Sequence, residues 1–512
     1  MPHPPLPFAD VVATSAAVGA TRARSAKVAA LAALLARAAP AEREALVAML
    51  SGELRQGRIG VGWATLAAVT AAHATAHGLT VAEVDAALDR LDSLAGSGSV
   101  AARQAALGDL FSRCTPDEAD YLRRLLAGEV RQGALVGIVT DAVARAAGVP
   151  AASVRRATML SGDLAHAAGL ALDGGEEALA GVHLQVLTPV LPMLAATAPT
   201  VASALADLGP ASVEWKLDGA RVQAHRSGGD VRLFTRNLND VTARLPGVVE
   251  VVASLPADDV ILDGEVVGLG EDERPDRFQE TMSRFGRHDG VAGAALTVAF
   301  FDVLHLDGAD LLDRPLSERL DALARVAGPW RVRNVVTADP ATADGFLAGA
   351  LAAGHEGVMV KALGSPYEAG RRGAAWRKVK PVVTFDLVVL AAEWGHGRRR
   401  GWLSNLHLGA RGPDGGFVMV GKTFKGLTDD LLRWQTARLG ELAVRDSGYV
   451  VEVRPELVVE VAVDGVQAST RYAGGVALRF ARVRRYREDK APADADTIES
   501  VRTLLSSPSP SP

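Results

Sequence analysis

The 512-residue sequence is poor in cysteine, in long hydrophobic runs and in net charge, and each shortage excludes a class of protein. Its one cysteine, Cys114, cannot form an intrachain disulfide, which fits a reducing compartment. No uninterrupted apolar stretch reaches the roughly 18 residues that span a bilayer, and residues 1–10 lack the basic and apolar runs of a secretory signal. A net charge of −5 excludes a uniformly basic coat for nucleic acid, so a polyanion would have to bind local basic patches. We therefore expect a cytoplasmic protein with no membrane partner.

The length and the hydrophobic fraction predict several packed domains. A fraction of 48% apolar residues is ample for hydrophobic cores, and a domain usually needs about 100–200 residues. Residues 1–190 have the texture of an all-α domain, with helical spacing of apolar residues in Ser25–Ala38. Capping boxes at Thr80–Glu83 and Thr115–Glu118 mark two helix starts, the second with Pro116 in the first turn.

A six-residue segment occurs twice in the helical part. Gly52–Gly57 reads GELRQG, and Gly128–Gly133 reads GEVRQG, each after a leucine-rich helix. In one interpretation each first glycine simply ends a helix. In the other, the two Arg-Gln-Gly turns present a cation and bare amides to phosphates. The sequence leaves both open.

From about residue 191 the pattern changes to mixed α+β and then to short strands. We expect an α+β domain at 191–382, a small β-barrel of the OB type at 383–500 and a disordered tail at 501–512. The predicted strands of the middle domain are Ser212–Lys216, Arg221–Arg226, Val231–Thr235, Ile261–Leu269, Leu296–Leu304 and Gly357–Lys361, with helices at Ser317–Ala327 and Ala341–Ala353. Those after Pro381 are Asp386–Ala391, Leu406–Ala410, Phe417–Gly421, Tyr449–Arg454 and Leu457–Val463, with one helix at Thr428–Leu442.

Gly416–Thr423 fits the P-loop expression G-x-x-x-x-G-K-T, but its context argues against a P-loop. A P-loop needs a strand before the first glycine and a helix directly after the Lys-Thr pair. Here the intervening residues are themselves a β-like apolar run, and Gly426 breaks the chain before the next helix. The segment is better explained as a barrel strand whose Lys422 and Lys425 face nucleic acid.

Lys216–Arg221, which reads KLDGAR, is the first segment that suggests chemistry. A lysine buried beside a nucleotide can lose its proton and attack a phosphate. Asp218 is close enough to fix the turn, and Gly219 would let the backbone approach a ligand. Taken alone, this short pattern is more often an ordinary charged surface turn.

Further motifs follow in a fixed order and carry a resemblance to a known family. They are Thr235–Asn237, Leu262–Glu265, Phe300–Asp302, Glu356–Lys361, Trp376–Lys380 and Arg479–Arg482 running on to Asp489–Lys490. With them the sequence resembles the ATP-dependent DNA ligases of the nucleotidyltransferase superfamily. The resemblance also covers the helical part, including the GE-x-RQG segments and Pro189–Ala195, and thus nearly the whole chain.

The resemblance implies a role for each matching residue. Lys216 would take AMP, Glu214 would contact adenine and Phe301 would stack on the base. Residues expected to hold phosphates or ribose are Arg221, Arg236, Glu265, Arg372, Lys378 and Lys380. Glu265 and Glu356 would bind Mg²⁺, a hard ion that prefers oxygen ligands. A structural salt bridge is the plainer reading of either glutamate, and core packing is the plainer reading of Phe301 and of Trp376.

The implied reaction uses ATP and nicked double-stranded DNA in three phosphoryl transfers. AMP passes from ATP to Lys216 and then to the 5′-phosphate of the nick, and the 3′-hydroxyl finally displaces it. The chain is expected to act as a monomer, with a hinge near Lys380–Thr384 that brings Arg482 and Lys490 to ATP and then swings them away. Ala481 stands where the family usually has proline, which leaves open whether Arg482, Arg484 or Arg485 meets pyrophosphate.

Two rival functions share parts of this pattern. An RNA ligase or a capping guanylyltransferase would also carry the lysine motif, but the large helical part favours duplex DNA, and Glu214 with Phe301 favours adenine. A nick-binding protein without catalysis would keep basic patches but would not need all the acidic and lysine positions. The sequence does not distinguish a replicative from an accessory role in DNA repair and recombination.

Overall fold

The structure is a computed structural model that describes residues 4–57, 59–69, 71–96, 98–130, 136–268, 296–368 and 372–506. Its N-terminal region is helical, as predicted. The helices are α1 Phe8–Ala20, α2 Arg24–Leu35, α3 Arg43–Ser51, α4 Trp63–Ala68, α5 Val81–Ser93, α6 Ser99–Ser112, α7 Pro116–Leu126, α8 Val136–Ala147, α9 Ala151–Ser161 and α10 Leu164–Ala180, with a 3₁₀ turn at Pro40–Glu42. Within these described residues, no helix is both long and apolar enough to cross a membrane.

Large aromatic side chains centre the core of the helical region. Phe8 and Tyr121 are fully buried, and their rings meet edge to face with centroids 5.8 Å apart. The Tyr121 hydroxyl donates to the carbonyl of Met49 at 2.8 Å, so its one polar atom has a partner. The predicted caps are present: Thr80 Oγ1 accepts from the Glu83 amide, and Glu118 accepts from the Thr115 amide.

The first copy of the repeated segment favours the structural interpretation. Gly52 ends α3 in the left-handed conformation, with φ 82°. The Arg55 guanidinium lies 2.9 Å from Asp85 and 2.7 Å from Asp89, both on α5. Its charge is therefore engaged inside the region. In the second copy Gly128 also has a positive φ, of 67°, but Arg131–Gly133 lie outside the described residues.

The middle region contains two five-stranded sheets with helices on their outer faces. Its elements in chain order are β1 Leu194–Thr197, α11 Val201–Leu208, β2 Ala211–Lys216, β3 Ala220–Ser227, β4 Asp230–Thr235, α12 Pro246–Ala253, β5 Asp259–Gly268, β6 Leu296–Leu306, β7 Ala309–Asp310, α13 Leu316–Ala327, β8 Asn334–Thr337, α14 Pro340–Ala352, β9 Gly357–Ala362 and β10 Arg372–Val379, with 3₁₀ turns at Thr242–Arg244 and Gly328–Trp330. The sheet orders are β1-β10-β9-β2-β8 and β4-β3-β5-β6-β7.

Strand alternation separates a packed face from a polar face in the first of these sheets. Val213, Val358 and Val360 point to one side and join a core with α11 and α14. Since successive side chains alternate, Glu214 and Lys216 of β2 point to the other side. Register places Lys216 opposite Gly357 and Glu214 opposite Met359. This polar face looks toward the second sheet, where the Lys361 amine donates to the Phe301 carbonyl at 3.1 Å. Glu214 and Lys216 therefore lie in a cleft between the two sheets.

The helical region is joined to the middle region by packing and by charge. Met159 and Leu160 of α9 share a buried cluster with Met193 and with residues of both sheets. The Arg156 guanidinium donates two hydrogen bonds to the Asp313 carboxylate, of 2.6 and 2.7 Å. The segment between the two regions is thus part of a shared core.

The C-terminal region forms a seven-stranded sheet and a separate hairpin. The elements are β11 Val383–Trp394, β12 Leu403–Arg411, β13 Phe417–Thr423, α15 Asp429–Glu441, β14 Ala443–Asp446, β15 Val450–Val453, β16 Val458–Val463, β17 Gly465–Ala468, β18 Val476–Arg479, β19 Arg482–Tyr486 and α16 Ile498–Ser506, with 3₁₀ turns at Gly397–Arg399 and Pro492–Asp494. The long strand β11 pairs with β16 through its first half and with β12 through its second half. The hairpin is β17–β18.

Two sequence predictions for this region need correction, and one is confirmed. Within the described strands the sheet does not close into a barrel, because its ends β13 and β19 do not pair as strands. The tail does not begin at 501, since α16 runs to Ser506 and buries Val501 fully. The rejection of a P-loop is confirmed: Lys422 lies on β13, and the next helix begins only at Asp429.

Candidate active site

Lys216 lies at the end of β2, in the cleft between the two sheets of the middle region. Its amine donates a hydrogen bond to Glu356 Oε2, and the Glu356 amide donates to the Lys216 carbonyl at 3.1 Å. The Lys216 side chain is 23% exposed, so a substrate can reach it. The second oxygen of Glu356 lies 3.8 Å from the amine of Lys380, which follows β10. The amines of Lys216, at the end of β2, and Lys380, after β10, therefore both lie near the carboxylate of Glu356, which precedes β9.

Two further carboxyl groups lie within electrostatic range of this cluster. Burial raises the pKa of Glu265 to about 7, and the positive charges of Lys216 and Arg221 only partly oppose it. Burial and the neighbouring Glu356 carboxylate also raise the pKa of Asp218. At both acids the effect of burial outweighs that of the neighbouring positive charges, and an incoming cation would stabilise their ionised forms.

Gly219 and Gly357 are required by close packing of backbone. A Cβ on Gly219 would lie 2.2 Å from the carbonyl of Val266, and one on Gly357 would lie 2.3 Å from that of Val379. Gly219 therefore lets the turn after Lys216 pack directly on β5. This structural reason stands beside the prediction that Gly219 lets the backbone approach a ligand, which stays a prediction.

Glu214 is deeper in the cleft, where it forms a buried ion pair with Lys361 at 2.6 Å. Burial raises the pKa of Glu214, while the charge of Lys361 opposes that rise. The Lys361 amine lies 4.5 Å from the ring centroid of Phe301 and 4.3 Å from that of Trp376. Phe301 is only partly covered, whereas Trp376 is 2% exposed, which confirms that the tryptophan is a packing residue.

Arg221 has its hydrogen-bonding groups engaged within the protein. Its guanidinium donates to both oxygens of Asp263, at 3.0 and 2.6 Å, and to the Met193 carbonyl at 2.6 Å. Tyr367 supports the same group, since its hydroxyl donates to Asp263 at 2.7 Å. Sequence reasoning missed Asp263 and Tyr367. Asp263 could have been found, because it lies two residues before Glu265 on β5 and so shares its face.

The remaining predicted phosphate-binding residues lie at different places around the cleft. Arg236 is exposed in the turn after β4. Lys378 on β10 pairs in register with Met359, so it shares a sheet face with Glu214 and Lys216. Arg372 begins the same strand, and its side chain lies outside the described atoms.

The C-terminal region reaches the site through residues other than those expected. Arg479 of β18 lies 3.8 Å from Asp218, and Asp464 lies 3.1 Å from Lys380. By contrast Arg482 is exposed on β19, and Lys490 donates to Asp386 of β11 at 2.5 Å. Arg482 and Lys490 are the residues predicted to meet ATP or pyrophosphate, and those roles stay predictions; the residue of the last motif that lies near Asp218 is Arg479. Sequence reasoning gave no role to Asp464.

The carboxylates of the site fit Mg²⁺ only as part of a shared coordination shell. In the described part of the chain no three or more histidine, cysteine, aspartate or glutamate side chains are grouped as a metal cage. Mg²⁺ is commonly held by one or two carboxylates together with substrate phosphates and water. Glu265 and Glu356 offer such oxygens beside Lys216, so the residues fit an ion that arrives with a nucleotide.

A lysine amine in a cleft between two sheets, flanked by acids and a second lysine, with a partly covered aromatic ring deeper in the same cleft, is the arrangement of a covalent nucleotidyltransferase. Comparisons with known proteins narrow this class. Family profiles match residues 192–380 as an ATP dependent DNA ligase domain, 399–490 as the ATP dependent DNA ligase C terminal region and 64–144 as the DNA ligase N terminus. The chain belongs to the ATP-dependent DNA ligases, enzymes that seal nicks in DNA through an adenylated intermediate.

Relatives support this assignment over nearly the full length. A probable DNA ligase of Pseudarthrobacter chlorophenolicus is 57% identical over 502 residues, which are 97% of this chain and 99% of that protein. One of Mycolicibacterium paratuberculosis is 59% identical and covers 97% of each chain. Among solved structures, the protein titled Pmar-Lig_PreS3 aligns with a TM-score of 0.62 at 18% identity, over 93% of this chain and 99% of its own, which shows a shared fold.

Proposed function

We propose that Lys216 is the residue that carries AMP in this ligase. The observation behind the proposal is the position of its amine, which is held by Glu356 beside Lys380 at the open mouth of the cleft. The neutral amine attacks the α-phosphorus of ATP, the N–P bond forms and the bond to pyrophosphate breaks. Glu356, already hydrogen-bonded to the amine, is positioned to accept its proton.

Intact-protein mass spectrometry after incubation with ATP tests this assignment. One adenylyl group should appear on the wild type, and peptide mapping should place it on Lys216. Lys216→Arg, which keeps the positive charge, should remain unlabelled and should not seal nicks. An adduct on another lysine, or sealing by the arginine variant, would remove Lys216 from the mechanism.

Adenine is proposed to bind against Phe301, with Glu214 at its polar edge. The Phe301 ring is partly covered and already lies beside the Lys361 amine, so it offers one apolar face. The buried carboxylate of Glu214 can accept a hydrogen bond from an exocyclic amine, which guanine lacks at the equivalent position. Sealing assays that compare ATP with GTP, and DNA nicks with RNA nicks, test this base and sugar preference together.

Phosphates are proposed to meet the basic residues at the mouth of the cleft. Lys378 lies on β10 and Lys380 directly follows it, near Lys216. Arg236 and Arg372 are proposed to contact further phosphate oxygens. Arg221 fits an indirect role better, because Asp263 and Met193 already hold its guanidinium. We therefore propose that Arg221 does not bind phosphate directly but shapes the side of the cleft that would hold the ribose.

Mg²⁺ is proposed to bind Glu265 and Glu356 together with phosphate oxygens. When bound, the ion offsets the negative charge that develops on phosphate in the transition state. The chain's own contribution is to place the two carboxylates, on β5 and before β9, near Lys216. Arg479 and Lys380 add fixed positive charge without requiring a metal.

The C-terminal sheet is proposed to be an open form of the OB fold. The order of its strands fits that interpretation, since β11 pairs with both β12 and β16. Its two ends also approach one another, where the Val483 amide donates to the Lys425 carbonyl at 3.0 Å. Arg482, Arg484 and Lys490 then belong to a surface that would turn toward DNA or pyrophosphate when the region rotates about the Lys380–Thr384 segment.

Nicked duplex DNA is proposed to be enclosed by three domains, at 1–190, 191–382 and 383–500. Contacts should be made mainly to backbone phosphates and should weaken with salt. We further propose a monomeric, cytoplasmic enzyme that serves DNA replication, repair and recombination, without membrane association. Cross-linking to a photoreactive nick should label all three domains.

A further inference from the structure

The C-terminal sheet holds a cluster of polar side chains away from the nucleotide site, centred on the buried carboxylate of Glu393. The Glu393 side chain is 9% exposed. It accepts hydrogen bonds from Asn405 at 2.7 Å, from His407 at 3.0 Å, from Tyr449 at 3.1 Å and from the amine of Lys422. Burial opposes ionisation, yet the bonds from Lys422, His407 and Asn405 lower the pKa of Glu393 to about 2.

The hydrophobic core of the sheet does not need this polar cluster around Glu393. The core side of β11 and β12 is filled by apolar residues such as Leu387, Val389 and Leu406. The polar cluster lies on the opposite, outer face, where strands β11, β12 and β13 are paired in register at Glu393–Asn405 and His407–Lys422. A carboxylate that gathers four donors on an outer face fixes their positions relative to one another.

The surroundings of the cluster suit a phosphate-bearing partner. Lys422 is 27% exposed and Tyr449 is 50% exposed, so both can reach a ligand while they are held. His396 stacks on Tyr449 with centroids 6.0 Å apart, and Arg399 lies in the same loop between β11 and β12. In OB-type domains the second and third strands, with the loop between the first and second, form the face that binds oligonucleotides. Here those elements are β12, β13 and the loop of His396.

We propose that Glu393 is a positioning residue that sets the discrimination between a nick and intact duplex. The inference rests on the proposed function of the C-terminal region as a DNA-facing domain. Glu393 cancels the charge of Lys422 at long range, so the cluster attracts DNA weakly from a distance. At contact, the amine of Lys422 still has protons to donate, and its fixed position favours phosphates that are correctly placed.

The decisive variant is Glu393→Gln, which removes the charge with little change of shape. Affinity for intact duplex should rise, and the slope of log affinity against log salt should steepen by about 1 as Lys422 gains an uncompensated charge. Single-turnover sealing by enzyme already carrying AMP should slow by about tenfold, because the donors are no longer held. Adenylation by ATP should keep its wild-type rate, because it does not use this face.

Glu452→Gln is the matched control. Glu452 lies on the outer face of β15 and pairs with exposed Arg445 at 2.6 Å, outside the cluster. The same loss of charge there should leave the ratio of nick to duplex affinity and the sealing rate unchanged. Lys422→Ala is the second test, since it should slow sealing in the wild type and have no further effect on sealing in Glu393→Gln.

Three results would overturn the proposal. One is unchanged discrimination and sealing in Glu393→Gln. Another is a parallel loss of adenylation, sealing and melting temperature, which would make Glu393 a residue of stability alone. The third is an equal effect of Glu452→Gln. If neither the wild type nor any variant bound DNA through this region, the proposed DNA-facing function of the C-terminal region would itself be wrong.

Discussion

Arg479 in the hairpin β17–β18 lies 3.8 Å from Asp218, two residues beyond the proposed nucleophile. The C-terminal region therefore sits over the nucleotide site with a positive charge near the turn that follows Lys216. The base of the same hairpin places Asp464 next to Lys380. Both contacts would have to break before this region could turn its outer face to DNA.

Arg479→Ala should separate the first step of the reaction from the last. Adenylation by ATP should slow by about 10- to 100-fold, because a fixed cation near the developing negative charge is lost. Phosphodiester formation on a nick that already carries AMP should change by less than about threefold, since that step needs the region turned away. Rapid-quench assays of the two steps give the ratio. Arg445→Ala, at an exposed ion pair, is the control, and an equal loss in both steps would contradict this picture.

Glu356→Gln should impair adenylation while leaving the fold intact. The amide can still contact Lys216 but can no longer take its proton or offer a charged oxygen to Mg²⁺. We expect a rate reduced by about 100-fold and a raised Mg²⁺ requirement, with the melting temperature nearly unchanged. Titration of Mg²⁺ against the adenylation rate measures both effects. Glu318→Gln, on the exposed side of α13, should behave like the wild type, and a normal Mg²⁺ requirement in Glu356→Gln would argue for a structural salt bridge.

Glu265 should make the stability of the protein fall as the pH rises toward neutrality. Burial raises its pKa from 4.5 to about 7, so over this interval the folded state binds the proton more tightly than the unfolded chain does. Stability from this group is therefore complete below pH 4.5 and is lost as the pH rises to 7. At about 1.4 kcal/mol per pKa unit, the loss is on the order of 3 kcal/mol relative to Glu265→Gln. Urea unfolding of both proteins across this range gives the difference, and parallel pH curves would refute the assignment.

Gly219→Ala should destabilise the middle region through a backbone clash. The added Cβ would lie 2.2 Å from the Val266 carbonyl, and neither the turn nor β5 can easily move. A loss of about 1–3 kcal/mol is expected, together with slower adenylation as Lys216 is displaced. Gly229→Ala, where a Cβ would meet nothing within 4 Å, is the matched control for thermal unfolding. Equal melting temperatures for the two variants would show that the turn relaxes freely.

The sequence predicted those features that depend on local pattern. The β-like runs at Ser212–Lys216 and Gly357–Lys361 located β2 and β9, and the capping boxes marked the starts of α5 and α7. It did not predict β10, whose strand begins in a glycine- and arginine-rich stretch with weak periodicity. Nor could it predict the contacts Tyr367–Asp263 and Asp464–Lys380, because each joins distant segments of the chain.

The closed barrel was mispredicted, and the position of Arg479 in the last motif was missed, for a second reason. A list of strands does not state whether the first and last will meet. Here β13 and β19 do not pair as strands, although the Val483 amide donates to the Lys425 carbonyl and the Thr423 hydroxyl donates to the Ala481 carbonyl. Likewise, the Arg-Phe-Ala-Arg segment contains two arginines, and only the position of the hairpin decides that Arg479 and not Arg482 approaches Asp218.

Met193 limits where the chain can be cut to make a catalytic fragment. Its carbonyl fixes Arg221, its amide donates to the Tyr367 hydroxyl, and its side chain lies in the cluster that includes Met159 of α9. A catalytic fragment that starts downstream of this residue would leave a guanidinium short of an acceptor and would expose apolar surface. A catalytic fragment should therefore begin upstream of Met193, and cutting the chain between α9 and Met193 would separate the two halves of this apolar cluster while leaving Lys216 and Glu356 in the fragment.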